Sequence, residues 1–527
     1  MKFIFSVSFC LFLSYISKAA IIYVDDDAQA GGNGQTWASA FKDLTTALGQ
    51  ASSGDEIRVA QGIYKPAPPN GNRETSFLVK NGTILRGGYA GLSHANANQW
   101  DPRHYVSTLS GDLNANDLPN FENYDDNTYH VVYAAYITNP NTLVEGFRIT
   151  GGSASSKTCC FFQRGGGMYV VSSLLTVRNC EFTLNRASWP PMAQGRGGAM
   201  YIVTDSDVVV EASRFENNFS YTQGGAVYIK DSNPHFIDDD FVSNSSASGG
   251  ALYSFVSNDI LVENSRFLNN SSSYSGGAVT ISSGQGGVIS RSSFINNYAS
   301  EHAGALYTSA YDMKVRDSYF SGNSAGSANT AIENRGSNFD VHLRISNSYF
   351  ENQPGAAIVN YYNIVSGKPY LDLFNSVLIN NHDGLIAYGG THSRIINSTI
   401  TANSNAGIIG VYADWDVLKL TNNIVWGNGD NSEYAQLAGD GEFLVSYSLI
   451  QNWSGIHQGE KVIDADPKFQ ADRFHLTRNS PCISGGTNEV LEEIPNYDID
   501  GHNRVSGKID MGADEVIFPA TSILSRH

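Results

Sequence analysis

A column of charged residues recurs at fixed distance from an apolar anchor. Counting six residues back from Phe320, Phe350, Leu378, Ile400 and Val425 gives Lys314, Arg344, Asp372, Arg394 and Lys419. Counting eight back gives Asp312, His342, Tyr370 and His392, and Arg316 stands beside the set. Five back are Val315, Ile345, Leu373, Ile395 and Leu420, all aliphatic. In a strand, successive side chains point to opposite faces, so an inward aliphatic column forces the charged columns outward. A slip of one residue would turn the whole set inward, against its charge.

These residue types suit β-elimination on a uronic acid. Lysine, histidine or tyrosine can remove the C5 proton, arginine can neutralise the sugar carboxylate, and tyrosine or histidine can return a proton to the leaving oxygen. Lys314, His342, Arg344, Tyr370, His392 and Arg394 are the candidate catalytic residues, with Arg316, Asp372 and Lys419 as substrate contacts. A hydrolase would use two carboxylates across a cleft. Asp312 and Asp372 lie two repeats apart, about 10 Å at strand spacing, which ranks an inverting hydrolase second. Stacked cations repel unless something anionic binds or intervenes, and Asp372 relieves part of that. The alternative is a solvated basic face without activity.

A second column is aromatic. After each Gly-Gly-Ala triplet comes an aliphatic residue, then Tyr201, Tyr228, Tyr253, Thr280 or Tyr307. Alternation places this column outward, as a platform for the apolar faces of sugar rings or as ring stacking that stabilises a sheet.

The elements that must carry these columns are short strands in a repeat. Gly197-Gly198-Ala199, Gly224-Gly225-Ala226, Gly249-Gly250-Ala251, Gly276-Gly277-Ala278 and Ala303-Gly304-Ala305 are 27, 25, 27 and 27 residues apart. Phe215, Phe241, Phe267, Phe294 and Phe320, each followed three residues later by Asn, keep steps of 26, 26, 27 and 26. Two markers with one period define a solenoid. Leucine-rich and helical repeats lack their required patterns here. The remaining reading is an all-β, right-handed parallel β-helix with three strands per coil. Each Phe would stack on the next at about 4.8 Å, and each Asn would sit in a turn with left-handed φ. Several of these asparagines read N-x-S/T, but a laddered Asn is not free to carry a sugar.

The chain divides into a leader (1–19), an N-terminal cap with irregular coils (20–115), regular coils (116–423) and a closing segment (424–527). Thr45–Ala51 is expected to be a helix that closes the open end of the solenoid. Lys2, the apolar run to Ile16 and Ser17-Lys18-Ala19 form an export signal, which predicts a secreted or cell-surface protein with no transmembrane segment in the mature chain. Beyond Cys10 in that run lie Cys159, Cys160, Cys180 and Cys482. Cys160 and Cys180, about one coil apart, could pair, or the thiols could be free and buried. The formal charge is 33 − 51 = −18, which argues against nucleic acid and leaves an extracellular polysaccharide as the expected partner. Ca²⁺ is the one cofactor for which the sequence offers a candidate site. Asn496-x-Asp498-x-Asp500-Gly501, with Asp510, Asp514 and Glu515, suggests a loose Ca²⁺ loop, although Gly507 stands where an EF-hand has Glu. Turn and capping chemistry is the alternative, and it is also the reading for Asp25–Asp27.

The paired markers over 165–323 resemble the repeats of the chlamydial polymorphic membrane proteins, which are β-helical surface adhesins. The ends resemble secreted bacterial β-helix proteins with a choice-of-anchor C-terminal segment. At the start these are Ile22-Tyr23-Val24-Asp25-Asp26-Asp27, Gly54-Asp55-Glu56-Ile57 and Gly62-Ile63-Tyr64. At the end they are Asp466-Pro467-Lys468-Phe469, Ser480-Pro481-Cys482-Ile483, Asp498-Ile499-Asp500-Gly501 and Asp510-Met511-Gly512-Ala513. The resemblance implies either an adhesin or glycan binder, or a relative of the β-helical polysaccharide lyases and glycosidases. No autotransporter barrel or sorting tail is evident in the sequence, so a released or loosely held protein is expected.

Overall fold

Alternating short strands, broken by glycine and asparagine, wind into a right-handed parallel β-helix. The computed structural model describes residues 19–517 apart from 158–159, 189–194, 258, 327–328, 363–366, 412–416 and 505–506. The leader and Cys159 lie outside the described residues. Strands stack into sheets of 16, 14, 7 and 13 members, here sheets I to IV in that order. One coil runs through Val227–Lys230 in sheet IV, His235–Ile237 in sheet I, Asp240–Val242 in sheet II and Ser245–Ser248 in sheet III. The regular coils thus carry a fourth, short strand that the three-strand expectation lacked. It follows the F-x-x-N asparagine and is confined to coils between Ser153 and Ala325.

Both sequence markers have local physical causes. Gly224 has φ +65°, and a Cβ on Gly225 would meet Gly250 O at 2.1 Å, so the first glycine turns the chain and the second lets coils touch. Phe182, Phe215, Phe241, Phe267, Phe294, Phe320 and Phe350 are fully buried, and Phe241 and Phe267 stack at 4.7 Å. The asparagines also ladder, but the left-handed φ falls on the residue before them, as at Asn217 (φ 54°). Asn244 points inward. Its Nδ2 donates to Phe215 O at 2.9 Å and to Asn270 Oδ1 at 3.0 Å, which leaves no position for a glycan.

A parallel ladder runs along the corner between sheets I and II. Ser265 Oγ accepts from Asp239 N at 3.2 Å and donates to Glu263 O at 2.9 Å, and Ser213, Ser292, Ser318 and Ser348 repeat this pattern. Asp239 occupies one rung. Its Oδ1 accepts from Ser213 N at 2.7 Å, its Oδ2 is buried without a hydrogen-bond partner, and burial holds its pKa well above the carboxylate range. Replacing Asp239 with Ser should therefore stabilise the protein by about 2 kcal/mol at neutral pH. A raised pKa means that the ionisation penalty is absent below the unfolded carboxylate's pKa of about 4 and grows above it. Urea unfolding should show the gain at neutral pH and its loss near pH ~4. Equal stability of the two proteins at neutral pH would refute it.

The helix that closes the N-terminal end spans Leu44–Gln50, within one residue of expectation at either end. Asp43 caps it, and Leu44, Ala47 and Leu48 cover the core. The closing segment instead folds back along the flank. Turn asparagines reach out to it: Asn375, Asn397 and Asn422 each donate through Nδ2, at 2.9 Å, to Tyr497 O, Asp510 O and Thr487 O. Phe374 and Ile396 pack beneath Val490, Ile494 and Ile509. Of the two alternatives left open for the cysteines, the structure has the buried thiol: Cys180 is free in the core, burial pushes its pKa up to about 12, and Cys482 is likewise free and buried.

Candidate functional site

The charged column lies outward on sheet I in the expected register. Lys314 pairs with Arg344, Arg344 with Asp372, Asp372 with Arg394, and Arg394 with Lys419. Asp312, His342, Tyr370 and His392 are likewise neighbours, two residues earlier on the same strands. The alternation around them reads buried-intermediate-buried-exposed-buried-intermediate for Val341–Ser346, so the inward aliphatic residues fix the outward ones.

His342, Arg344, Tyr370, Asp372, His392, Ser393, Arg394, Val417 and Lys419 line one groove of about 360 Å³. His342 and Tyr370 stack at 4.4 Å with planes 4° apart, and Tyr370 and His392 at 4.7 Å and 23°. The cations are not left to repel one another. Arg394 Nε donates to Asp372 Oδ1 at 2.7 Å, Arg344 Nε lies 3.7 Å from Asp372 Oδ2, and Lys314 Nζ lies 3.0 Å from Asp312. Arg394 also meets Glu493, so the closing segment borders this groove. The Asp372 and Glu493 pairs push the Arg394 pKa up against the opposing effect of burial. Lys314 and Arg316 are exposed on the strand next to the groove's first coil and are not part of its lining. The contribution of Glu493 was not legible in the sequence, because it depends on a fold-back from about a hundred residues away.

The tyrosine column also keeps its register: Tyr169, Tyr201, Tyr228, Tyr253, Thr280 and Tyr307 are successive neighbours on sheet IV. It is not an open platform. Tyr201 and Tyr228 are 2% exposed, Tyr253 is buried and Tyr307 half-buried. Arg164 and Arg196, which precede the glycine turns, fold back over Tyr201 and Tyr228 at 5.4 and 5.1 Å. The rings stack, Tyr201 on Tyr228 at 5.1 Å, and they stabilise the sheet beneath that cover. Tyr201 and Tyr228 offer no face to a sugar.

At the loop read as a calcium site, the lone pairs of Asp498 are already taken. Asp498, Asp500, His502 and Asp514 do gather within 4.8 Å. However, Asp498 Oδ1 accepts from Asp500 N and His502 N, and Oδ2 from Glu515 N and His502 Nδ1. Asp510 caps Ser484 N and Val516 N, and Glu515 holds the fully buried Arg504. Calcium takes six to eight oxygen ligands, more than this set leaves free. The carboxylates here close turns. So do Asp25 and Asp26, which accept from Asp27 N, Leu92 N and Ile63 N.

A larger groove of about 480 Å³ lies between Arg103, Arg148, Arg214 and Asp240. Its charges cancel in a ladder, with Arg148–Glu181 at 2.8 Å and Arg214–Asp240 at 3.3 Å, and it lacks an imidazole or phenol. The sheet I groove is therefore the stronger site.

Residues 198–344 match a family model described as a right handed beta helix region. No curated protein matches the chain. Among solved structures it is similar to XylC with xylose, at 10% identity over 94% of this chain and 98% of that chain, with a TM-score of 0.40. It is also similar to pectate lyase Pel9A (13%, 95% and 98%, TM-score 0.27) and to PfbA, a surface adhesin of Streptococcus pneumoniae (12%, 84% and 91%, TM-score 0.32). Among the described residues no helix is long and apolar enough to cross a membrane.

Proposed function

We propose that this protein is a secreted polysaccharide lyase that cleaves an acidic, uronate-containing polymer in the sheet I groove. The observation that carries the reading is the convergence in one groove of an imidazole–phenol column with a second column, two residues on along each strand, in which Arg344 and Arg394 flank Asp372. A uronate carboxylate rests on Arg344, which disperses the charge that develops on proton loss. His342, on the same strand, removes the C5 proton. The released electrons form the C4–C5 double bond as the C4–O bond breaks. Tyr370, one coil along, donates its hydroxyl proton to the leaving oxygen. The Arg394–His392 pair offers the same chemistry on the other side of Tyr370.

Incubation with a panel of uronate polymers should generate unsaturated ends, read as rising ultraviolet absorbance. His342→Ala and Arg344→Ala should each lower the rate at least about a hundredfold, in line with the loss of a general base or of charge stabilisation. Full activity in both variants, or no product from any acidic polymer, would sink the reading.

Glycan binding without turnover, as in an adhesin, is the second reading. The pairing of the groove's arginines with Asp372 and Glu493 favours it, because guanidinium charge already neutralised within the protein is less available to a developing carbanion than to hydrogen bonds with a bound sugar. Saturable binding with no product would support it.

A further inference from the structure

The charges along the groove change sign from coil to coil, and that order bears on the polymer. Asp312 and Lys314 pair at 3.0 Å on the strand before the groove. The next coil presents His342 with Arg344, the next Tyr370 with Asp372, and the next His392 with Arg394. A phenol–carboxylate row thus stands between two imidazole–guanidinium rows, the second of which also meets Glu493 from the closing segment. The ring stack of 4.4 and 4.7 Å keeps these rows one strand spacing apart.

The groove is longer along the solenoid axis than along a strand. Its lining spans the four strands Val341–Ser346, Pro369–Phe374, His392–Ile396 and Val417–Thr421, with only two outward residues from each. An extended glycan that follows it lies parallel to the axis, and one pyranose residue matches about one coil. Sugars on the flanking rows then meet Arg344 and Arg394. The sugar between them meets Asp372. That carboxylate is held by Arg394 at 2.7 Å and faced by Arg344 at 3.7 Å, so it stays in place when a ligand arrives. A second carboxylate beside it would be repelled, whereas a hydroxyl or amide N–H would donate to it.

We propose that the substrate is an alternating polysaccharide, with a uronic acid at every second position and a neutral or N-acylated sugar between. This inference rests on the groove reading above and refines it. A homopolymeric uronate would place a carboxylate against Asp372 whenever it filled both arginine rows.

The test is binding of length-matched hexasaccharides, one alternating (hyaluronan type) and one homouronate (oligogalacturonate), measured in the cold where turnover is slow. The wild-type chain should bind the alternating oligomer about tenfold more tightly. In Asp372→Asn, whose folding is checked by its melting curve, the ratio should collapse through a gain in homouronate affinity. Equal or tighter homouronate binding by the wild type would overturn the proposal, and so would an unchanged ratio in Asp372→Asn. Failure of both oligomers to bind would overturn the groove reading itself, whereas binding of both without preference would remove only this refinement.

Discussion

Phe267→Ala should cost about 4 kcal/mol, the range for deleting a fully buried aromatic ring from a close-packed core. Phe267 lies midway in a continuous stack, 4.7 Å from Phe241 and 4.6 Å from Phe294, with planes 3° and 2° apart. No mobile surface residue can fill the gap, because the neighbours are rings held by their own coils. A solenoid is stabilised chiefly by contacts between adjacent repeats, so a lost interface weakens the link between the two halves instead of loosening the whole. Chemical denaturation should therefore show a lower midpoint and a split into two transitions, with the Phe215 side and the Phe320 side melting apart. A loss below about 1 kcal/mol with a single sharp transition would contradict this account.

The same stack explains what was legible in the sequence. Phe at every coil, aliphatic residues five back and charges six back are all set by one local rule, strand alternation, applied at one period. The groove from His342 to Lys419 followed from that rule even where the Phe marker gave way to Leu378, Ile400 and Val425. What failed was non-local. The tyrosines do point away from the coil interior, yet Arg164 and Arg196 cover them from a preceding turn, and alternation says nothing about a cover. The closing segment was legible as a unit, whereas its place along the flank was not. The apolar residues Val377, Ile379 and Ile424 on the outward side of sheet II did carry a signal of such a partner. The state of Cys180 was left open because coil spacing says only which residues could meet, whereas its inward direction decides that it packs in the core. Asp239 was illegible for a different reason: an aspartate beside Asp238 and Asp240 looks like a surface run, and only the ladder shows it standing in for a serine.

A second large effect should appear on mild acidification, through His130. This imidazole is 2% exposed, with Phe161 at 5.1 Å and Tyr169 at 5.2 Å. Its Nδ1 lies 3.0 Å from Gly165 O, to which it donates, and its Nε2 is buried with no partner among the described residues. Burial lowers its pKa from 6.5 to about 4, because a second proton would sit uncompensated among aromatic rings. The sign follows directly. The unfolded chain takes up that proton near 6.5 and the folded chain refuses it until about 4, so stability is full above the first value and declines between the two. A gap of this size corresponds to about 3 kcal/mol lost across the window. Other buried or half-buried groups act in the opposite direction. Asp117 and Glu515, both raised by burial to about 7, hold protons that the unfolded chain has released, so acidification relieves them. The comparison must therefore be made between proteins. His130→Asn keeps an N–H for Gly165 O and removes the titration, at the expense of a small cavity. Unfolding free energies measured for both proteins at several pH values should diverge in slope, with the wild type losing about 3 kcal/mol more than the variant. Parallel pH profiles would show that the imidazole is reached by water or by an acceptor for its second N–H, and that its burial does not govern the acid stability of the first coils.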